Sequence, residues 1–114
     1  YWMSAPSLLK KWQDEVFTFL SKTPAVAGKS LTVVTTTGSE YEAYRSGGRN
    51  RFTMDELLRP YQVSAIHSGM SWQTPIVVYG MGTADAGKNI AEGANLYKQR
   101  VEMLIGSSNA GNNW

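Results

Sequence analysis

The loop between residues 38 and 51 holds the residue types best suited to binding or catalysis. Its start, Thr36-Thr37-Gly38-Ser39, follows a β-branched run, and Tyr41 and Tyr44 lie within it. Backbone N–H groups beside a glycine, together with threonine hydroxyls, can donate hydrogen bonds to a flat heterocycle or to a phosphate. A loop tyrosine can stack on a planar ligand or donate its hydroxyl to charge on a substrate oxygen. The same residues also fit a plain strand end with a turn, and rings packed on the domain surface.

Other catalytic chemistries lack the residues they need. The chain has one histidine, His67, and no cysteine, so neither a zinc site nor a Ser-His triad has a convincing set of partners. No G-x-G-x-x-G or G-x-x-x-x-G-K-[ST] pattern is present, which excludes an intact nucleotide-phosphate loop of those types. The acid pairs Asp14-Glu15 and Asp55-Glu56 fit a helix surface and a helix start. Three arginines of the loop suit either a phosphate or carboxylate ligand or salt bridges at an interface: Arg45, Arg49 and Arg51.

Hydrophobic periodicity predicts three helices around this loop. The first, from about Ser7 to Leu20, carries an apolar stripe of Leu8, Leu9, Trp12, Val16, Phe19 and Leu20. A capping box, Thr53-Met54-Asp55-Glu56, begins the second, which ends near Gly69 and is kinked or broken at Pro60. Thr83 can cap the third, whose apolar residues repeat at helical spacing: Ile90, Ala94, Tyr97, Val101 and Leu104.

Two β-branched runs, residues 31–38 and 75–80, are typical of strands buried on both faces, as in a parallel sheet. The order helix, strand, loop, helix, strand, helix therefore predicts an α/β fold with a right-handed parallel crossover. Two strands are too few for a sheet covered by three helices. Either strands are missed, or the chain is the C-terminal portion of a larger open sheet, which is the interpretation we favour. Ligands of such sheets bind beyond the carboxyl ends of the strands, where the 38–51 loop begins.

Composition bounds the class of protein. The 114 residues are 42% hydrophobic and 18% charged, which argues against a disordered chain, and no apolar run approaches the length of a membrane span. The net charge is only +2 and no dense basic stripe is present, so nucleic acid is not an expected partner. The absence of cysteine is compatible with a reducing cytoplasm. The chain begins Tyr1-Trp2-Met3 rather than with an initiator methionine, as though cut from a longer protein.

Three motifs in order resemble one family. Residues 1–16 are similar to the W-x-x-P-x-x-L-K-x-W-x-D-x-V segment of flavodoxin-like NAD(P)H:quinone oxidoreductases. Thr36-Thr37-Gly38 followed by Tyr44 resembles their T-T-G-x-x-x-x-x-Y loop. Residues 58–61, residues 69–72 and Pro75 resemble the stretch between the family's fourth and fifth strands. The likeness runs from residue 1 to about 105 and is closest to the subgroup that includes ancillary proteins of glutathione-gated potassium efflux systems.

The resemblance implies a flavodoxin-like parallel sheet with helices on both faces. This chain would hold its C-terminal part, with two strands and three helices, in residues 1–105, followed by a flexible tail over residues 106–114. The segment that holds the flavin phosphate in the family would precede Tyr1.

Site residues also follow from the resemblance. Tyr1, Trp2 and Met3 match the loop that lies along the isoalloxazine ring, although Tyr1 and Trp2 also fit a hydrophobic staple for the first helix. The segment Thr36, Thr37, Gly38 and Ser39 matches the loop that hydrogen-bonds the flavin, with Ser39 where a second glycine is common. Tyr44 matches the active-site tyrosine, and Asn50 stands where the best-known members have a histidine.

The implied function is a flavin-dependent NAD(P)H:quinone oxidoreductase that uses FMN or FAD and passes a hydride through flavin N5. The chain would then be a fragment, which need not be active on its own. The alternative is an ancillary, regulatory subunit that binds a potassium efflux transporter, and a third interpretation is a self-sufficient small α/β domain. A homodimer is expected, in the cytoplasm or peripheral to the inner membrane.

Overall fold

The structure, a computed structural model, describes residues 1–111, apart from the side chains of residues 107–111; residues 112–114, and with them the end of the predicted tail, lie outside the described part. The described chain forms two compact units. The first contains residues 1–31 and 52–73. The second contains residues 32–51 and 74–111.

The first predicted helix is present, and its apolar stripe lies on its surface. It consists of α1 (Ser7–Trp12), a π-helical turn (Gln13–Phe17) and α2 (Thr18–Leu20). The six stripe residues, expected to face a core, are between 37% and 74% exposed: Leu8, Leu9, Trp12, Val16, Phe19 and Leu20. The 3.6-residue period thus predicts the helix correctly, while the described residues do not cover its apolar face.

The second predicted helix is divided at Leu58 into α3 (Met54–Leu57) and α4 (Arg59–His67). Its capping box is confirmed, because Thr53 Oγ1 accepts from the Glu56 N–H at 3.2 Å and Glu56 Oε1 accepts from the Thr53 N–H at 3.1 Å. Pro60 lies in the first turn of α4, where its missing N–H costs no hydrogen bond, so the predicted break is also confirmed. Gly69, with φ of +71°, follows the end of α4.

The strands form two parallel pairs, as the strand–helix–strand order predicts. In the first unit β1 (Ser30–Leu31) pairs with β3 (Ser71–Trp72), with Ser30 opposite Ser71. In the second unit β2 (Val34–Thr36) pairs with β4 (Ile76–Val78), with Val34 opposite Ile76. Strands β2 and β4 lie within the two predicted runs, so the second pair joins the predicted strands. The structure has four short strands where two were predicted, because β1 precedes β2 and β3 precedes the second run. Pro75, which has no N–H to donate, lies between β3 and β4.

The second unit is completed by a 3-10 turn (Tyr41–Ala43) and by α5 (Ala86–Gly111). Helix α5 packs on β4 at Gly93, where a Cβ atom would lie 2.3 Å from Val78 Cγ2. Thr83 precedes the helix by three residues and holds a turn, since its hydroxyl donates to the Gly80 carbonyl at 2.8 Å. The helix continues to Gly111, beyond the predicted end near residue 105. The flexibility expected of residues 106–114 stays a prediction.

The core of each unit is small. Among residues 1–106, the buried apolar side chains are Leu58 and Ala65 in the first unit and Ala43, Tyr44 and Ile76 in the second, and no large side chain is completely buried. Tyr44 is thus one of five core residues, which gives the 38–51 loop a firm attachment to its unit.

Candidate functional site

The loop that follows β2, residues 37–51, is named the β2 loop here. It begins at Thr37, whose polar groups are used within the protein. The Thr37 N–H donates to the Val78 carbonyl at 2.9 Å, its carbonyl accepts from the Met81 N–H at 2.9 Å, and its hydroxyl donates to the Ser39 carbonyl at 2.7 Å. Thr37 is buried, at 7% exposure. Its role in this structure is to fix the start of the loop, so the exposed Thr36 is the threonine of the pair that faces solvent.

Two backbone donors at the start of the β2 loop are available to a ligand. Within residues 1–111, no acceptor takes a hydrogen bond from the N–H of Gly38 or of Ser39. A Cβ built on Gly38 meets no atom within 4 Å, so open space adjoins these two N–H groups. This donor pair fits a planar group rich in acceptors, such as the carbonyl oxygens and ring nitrogens of an isoalloxazine, which the family resemblance implies.

Tyr44 combines a buried ring with a hydroxyl that solvent can reach. The residue is 9% exposed, and its ring lies 5.8 Å from the ring of Tyr79 at a tilt of 49°. Its hydroxyl has no partner in residues 1–111, yet the only buried and unpartnered side-chain oxygen or nitrogen there is Thr32 Oγ1. The sequence allowed either a packed ring or a hydroxyl that donates to a ligand. In the structure the ring packs, and the hydroxyl remains available to a ligand.

Asn50 lies at the far end of the β2 loop, where the backbone is tightly folded. Its N–H donates to the Ala43 carbonyl at 3.0 Å, and Gly48 passes so close that a Cβ there would lie 2.2 Å from the Glu42 carbonyl oxygen. The next residue, Arg51, has φ of +63°, a left-handed conformation that residues other than glycine rarely adopt. Strained backbone of this kind is common at ligand sites, which is consistent with a role for the half-buried Asn50.

Tyr1, Trp2 and Met3 belong to the first unit, whereas the other predicted site residues belong to the second. Tyr1 and Trp2 are almost fully exposed, at 89% and 91%, so neither ring acts as a staple packed on the first helix. Met3 has φ of +50°; Met3 and Arg51 are the two residues other than glycine with positive φ in the described part of the chain. The other predicted residues share the second unit: Thr36 ends β2, and Thr37, Gly38, Ser39, Tyr44 and Asn50 lie in the β2 loop.

The three loop arginines, left ambiguous by the sequence, differ in the structure. Arg45 Nη1 donates to Glu42 Oε2 at 2.6 Å, and this hydrogen bond, with the charge of Glu42, raises the pKa of Arg45 above its ordinary value. Arg49 Nη2 instead donates to the hydroxyl of Ser39. No spacing rule links residues 39 and 49 in an irregular loop, so the sequence carries no signal for this second contact.

A cleft of about 450 Å³ opens between the 3-10 turn, β4 and α5. The rings of Tyr41 and Tyr79 meet edge to face in its wall, with centroids 5.2 Å apart, and carboxylates line its rim, among them Glu40, Asp85 and Glu92. None of the predicted flavin-binding residues lines this cleft. Its negative rim would repel the phosphates of a flavin or a dinucleotide, so the donor pair remains the better candidate site.

The parallel strand pairs are connected through helices, and the β2 loop follows the carboxyl end of a strand, which is typical of α/β proteins. A family profile described as a flavodoxin-like fold matches residues 1–101. The chain therefore belongs to the flavodoxin-like fold family, which confirms the resemblance carried by the motifs.

Two curated bacterial relatives show the range of proteins that this chain is similar to. An uncharacterized NAD(P)H oxidoreductase, YdeQ, of Bacillus subtilis is 38% identical over 108 residues, which cover 91% of this chain and 54% of that protein. The glutathione-regulated potassium-efflux system ancillary protein KefG of Serratia proteamaculans is 43% identical over 83 residues, covering 69% of this chain and 45% of that protein.

Two solved structures share the fold. General stress protein 14 of Treponema denticola, in complex with FMN, matches with a TM-score of 0.78 and 28% identity, over 91% of this chain and 61% of that one. An NADPH-quinone reductase of P. pentosaceus matches with a TM-score of 0.71 and 31% identity, over 82% of this chain and 59% of that one. Flavin and nicotinamide chemistry thus occur among proteins similar to this chain.

The chain spans between 45% and 61% of the length of the first curated relatives that it matches. Within residues 1–111, no helix has the length and apolar character needed to cross a membrane. The same residues contain no group of three or more histidine, cysteine or acidic side chains arranged to hold a metal ion.

Proposed function

We propose that this chain is part of a flavin-dependent NAD(P)H:quinone oxidoreductase and that the β2 loop binds FMN. The observation that carries the proposal is the donor pair of Gly38 and Ser39, open to solvent at the carboxyl end of β2. The relatives support it, since one is named an NAD(P)H oxidoreductase and one solved neighbour holds FMN. A quinone acceptor is supported by the neighbour named NADPH-quinone reductase.

Each predicted site residue receives a role in this proposal. The donor pair and the hydroxyl of Thr36 hydrogen-bond the ring system, and Thr37 fixes the start of the loop that carries the pair. Tyr1, Trp2 and Met3, in the first unit, are assigned to the flavin by the family resemblance alone. Bound FMN would supply the redox chemistry, accepting a hydride from NAD(P)H at N5 and releasing it to a quinone. The Tyr44 hydroxyl donates to charge that develops on the acceptor oxygen, and the Asn50 amide offers a second donor at the position of the family's histidine.

Gly38 offers a sharp test, because its backbone is not in the left-handed region and a side chain there would fill only the open space. We expect Gly38→Val to leave the melting temperature nearly unchanged and to weaken FMN binding at least about tenfold, since the side chain covers the donor pair. Gly47→Val is the matched control in the same loop, where a Cβ also meets no atom within 4 Å. FMN fluorescence quenching measures the affinity, and FAD is titrated in parallel.

A full-length protein containing this chain that takes up no FMN would contradict the cofactor proposal. A chain that binds FMN but does not oxidise NADPH or NADH with menadione would restrict the proposal to flavin binding. Equal FMN affinities of wild type, Gly38→Val and Gly47→Val would place the flavin elsewhere.

The KefG relative favours a second candidate function, an ancillary subunit of a potassium efflux transporter. In that case the protein acts in the cytoplasm or at the inner face of the membrane and binds the transporter with or without turnover. Co-purification of the tagged chain with a glutathione-gated efflux transporter tests this role, and no enrichment over an unrelated tagged flavodoxin would contradict it. A homodimer belongs to both proposals and is measured by sedimentation.

A further inference from the structure

Ser39 is tied to three separate parts of the second unit. Its carbonyl accepts from the Thr37 hydroxyl at 2.7 Å and from the Gly80 N–H at 2.8 Å. Its own hydroxyl accepts from Arg49, at the opposite end of the β2 loop. Since the Ser39 N–H is half of the donor pair, the direction of that donor depends on these three contacts.

Arg49 differs from its neighbour Arg45 in how its charge is used. The ion pairs of the described residues are Lys10–Asp14 and Arg45–Glu42, so no carboxylate there neutralises Arg49. The backbone around Arg49 is held by the hydrogen bonds of Gly48 to the Arg45 carbonyl and of Asn50 to the Ala43 carbonyl, at 2.9 and 3.0 Å. From this fixed backbone the Arg49 guanidinium extends to the Ser39 hydroxyl and links the two ends of the loop.

We propose that Arg49 is a positioning residue that holds Ser39, and with it the donor pair, in the orientation that receives the flavin ring. The inference rests on the proposed function. Arg49 acts through the Ser39 hydroxyl and also leaves an unneutralised positive charge beside the donor pair. A glycine at position 39, which is common in the family, has no hydroxyl for an arginine to hold, so the contact is a feature of this chain.

Amide hydrogen exchange tests the positioning without any cofactor. The Gly80 N–H donates to the Ser39 carbonyl, so its exchange rate reports how well residue 39 is held. We expect Arg49→Ala and Ser39→Ala each to raise the exchange rate of the Gly80 amide about threefold or more. The double variant should raise it no further, because the two substitutions remove the same hydrogen bond. Arg45→Ala is the control, since it removes the same charge from the same loop without touching Ser39.

FMN affinity tests the link to the flavin. We expect Arg49→Ala to weaken FMN binding about fivefold, Arg49→Lys to restore part of the loss, and Arg45→Ala to have little effect. An unchanged Gly80 exchange rate, additive effects of the Arg49 and Ser39 variants, or an equal loss in Arg45→Ala would overturn the inference. If the full-length protein that contains this chain binds no FMN while Gly80 exchange responds as expected, the proposed function fails, and Arg49 holds the loop without serving a flavin.

Discussion

At the residue scale, Tyr44 shows how one side chain can carry both a structural and a chemical role. Its ring is part of the small core of the second unit and packs against Tyr79, while its hydroxyl has no partner in residues 1–111. Removing the hydroxyl therefore costs no internal hydrogen bond, whereas removing the ring opens a cavity. Two substitutions at this position separate the two roles.

We expect Tyr44→Phe to change the free energy of unfolding by less than about 1 kcal/mol and Tyr44→Ala to reduce it by about 3 kcal/mol. If the hydroxyl serves catalysis, Tyr44→Phe should slow quinone reduction at least about tenfold, since one donor to developing charge is lost. Urea denaturation and steady-state kinetics measure the two effects. Unchanged turnover in Tyr44→Phe would exclude a catalytic role for the hydroxyl and show that Tyr44 serves only in packing.

Residue types and the family resemblance single out residues 36–39, Tyr44 and Asn50 as candidates, and their role in binding or catalysis stays a prediction. The sequence did not show that Thr37 is buried and that its polar groups form hydrogen bonds with Ser39, Val78 and Met81. It also did not show the contact between Arg49 and Ser39. Both depend on where the irregular loop folds back, which is a tertiary property that local propensity does not contain.

At the scale of elements, local signals predicted the helices well and the strands only in part. The capping box at Thr53 and the break before Pro60 are local chemistry, and both appear as expected. The segments Ser30–Leu31 and Ser71–Trp72 were missed as a strand pair, since two-residue strands show no periodicity. Their pairing depends on a partner far along the chain, which a single segment cannot reveal.

Helix α5 and strand β4 touch most closely at Gly93, and this contact gives a testable difference between two glycines of one helix. We expect Gly93→Ala to lower the free energy of unfolding by about 2 kcal/mol, because the methyl group would overlap Val78 Cγ2. Gly106→Ala is the matched control, since a Cβ there meets no atom within 4 Å and alanine raises helix propensity.

Thermal denaturation followed by circular dichroism measures both variants. Gly106→Ala should raise stability by about 0.5–1 kcal/mol. A Gly93→Ala variant as stable as Gly106→Ala would mean that α5 does not approach β4 as closely as the structure has it.

At the scale of the whole molecule, apolar side chains on the surface of the first helix stand out. Leu8 and Phe19 are 74% and 67% exposed, and exposed apolar patches of soluble domains commonly mark association surfaces. None of the described residues covers this face.

We expect the chain to self-associate through this face, and the double substitution Leu8→Gln with Phe19→Gln to reduce the association at least about tenfold by removing apolar area from the contact. Lys10→Gln with Asp14→Asn, which removes the exposed ion pair on the opposite side of the same helix, is the control. Sedimentation velocity over a range of protein concentrations measures the effect. Equal association of both double variants would exclude this helix face from the contact.

The parallel register of the strands also has a kinetic consequence. Strands β1 and β3, like β2 and β4, are joined by chain segments of about 40 residues, so neither pair can form as a local hairpin. The entropy lost in closing such a segment precedes any ladder hydrogen bond, which raises the folding barrier. Formation of α3 and α4 between the strands shortens the effective span, so the Thr53–Glu56 cap favours rapid folding as well as a stable helix end.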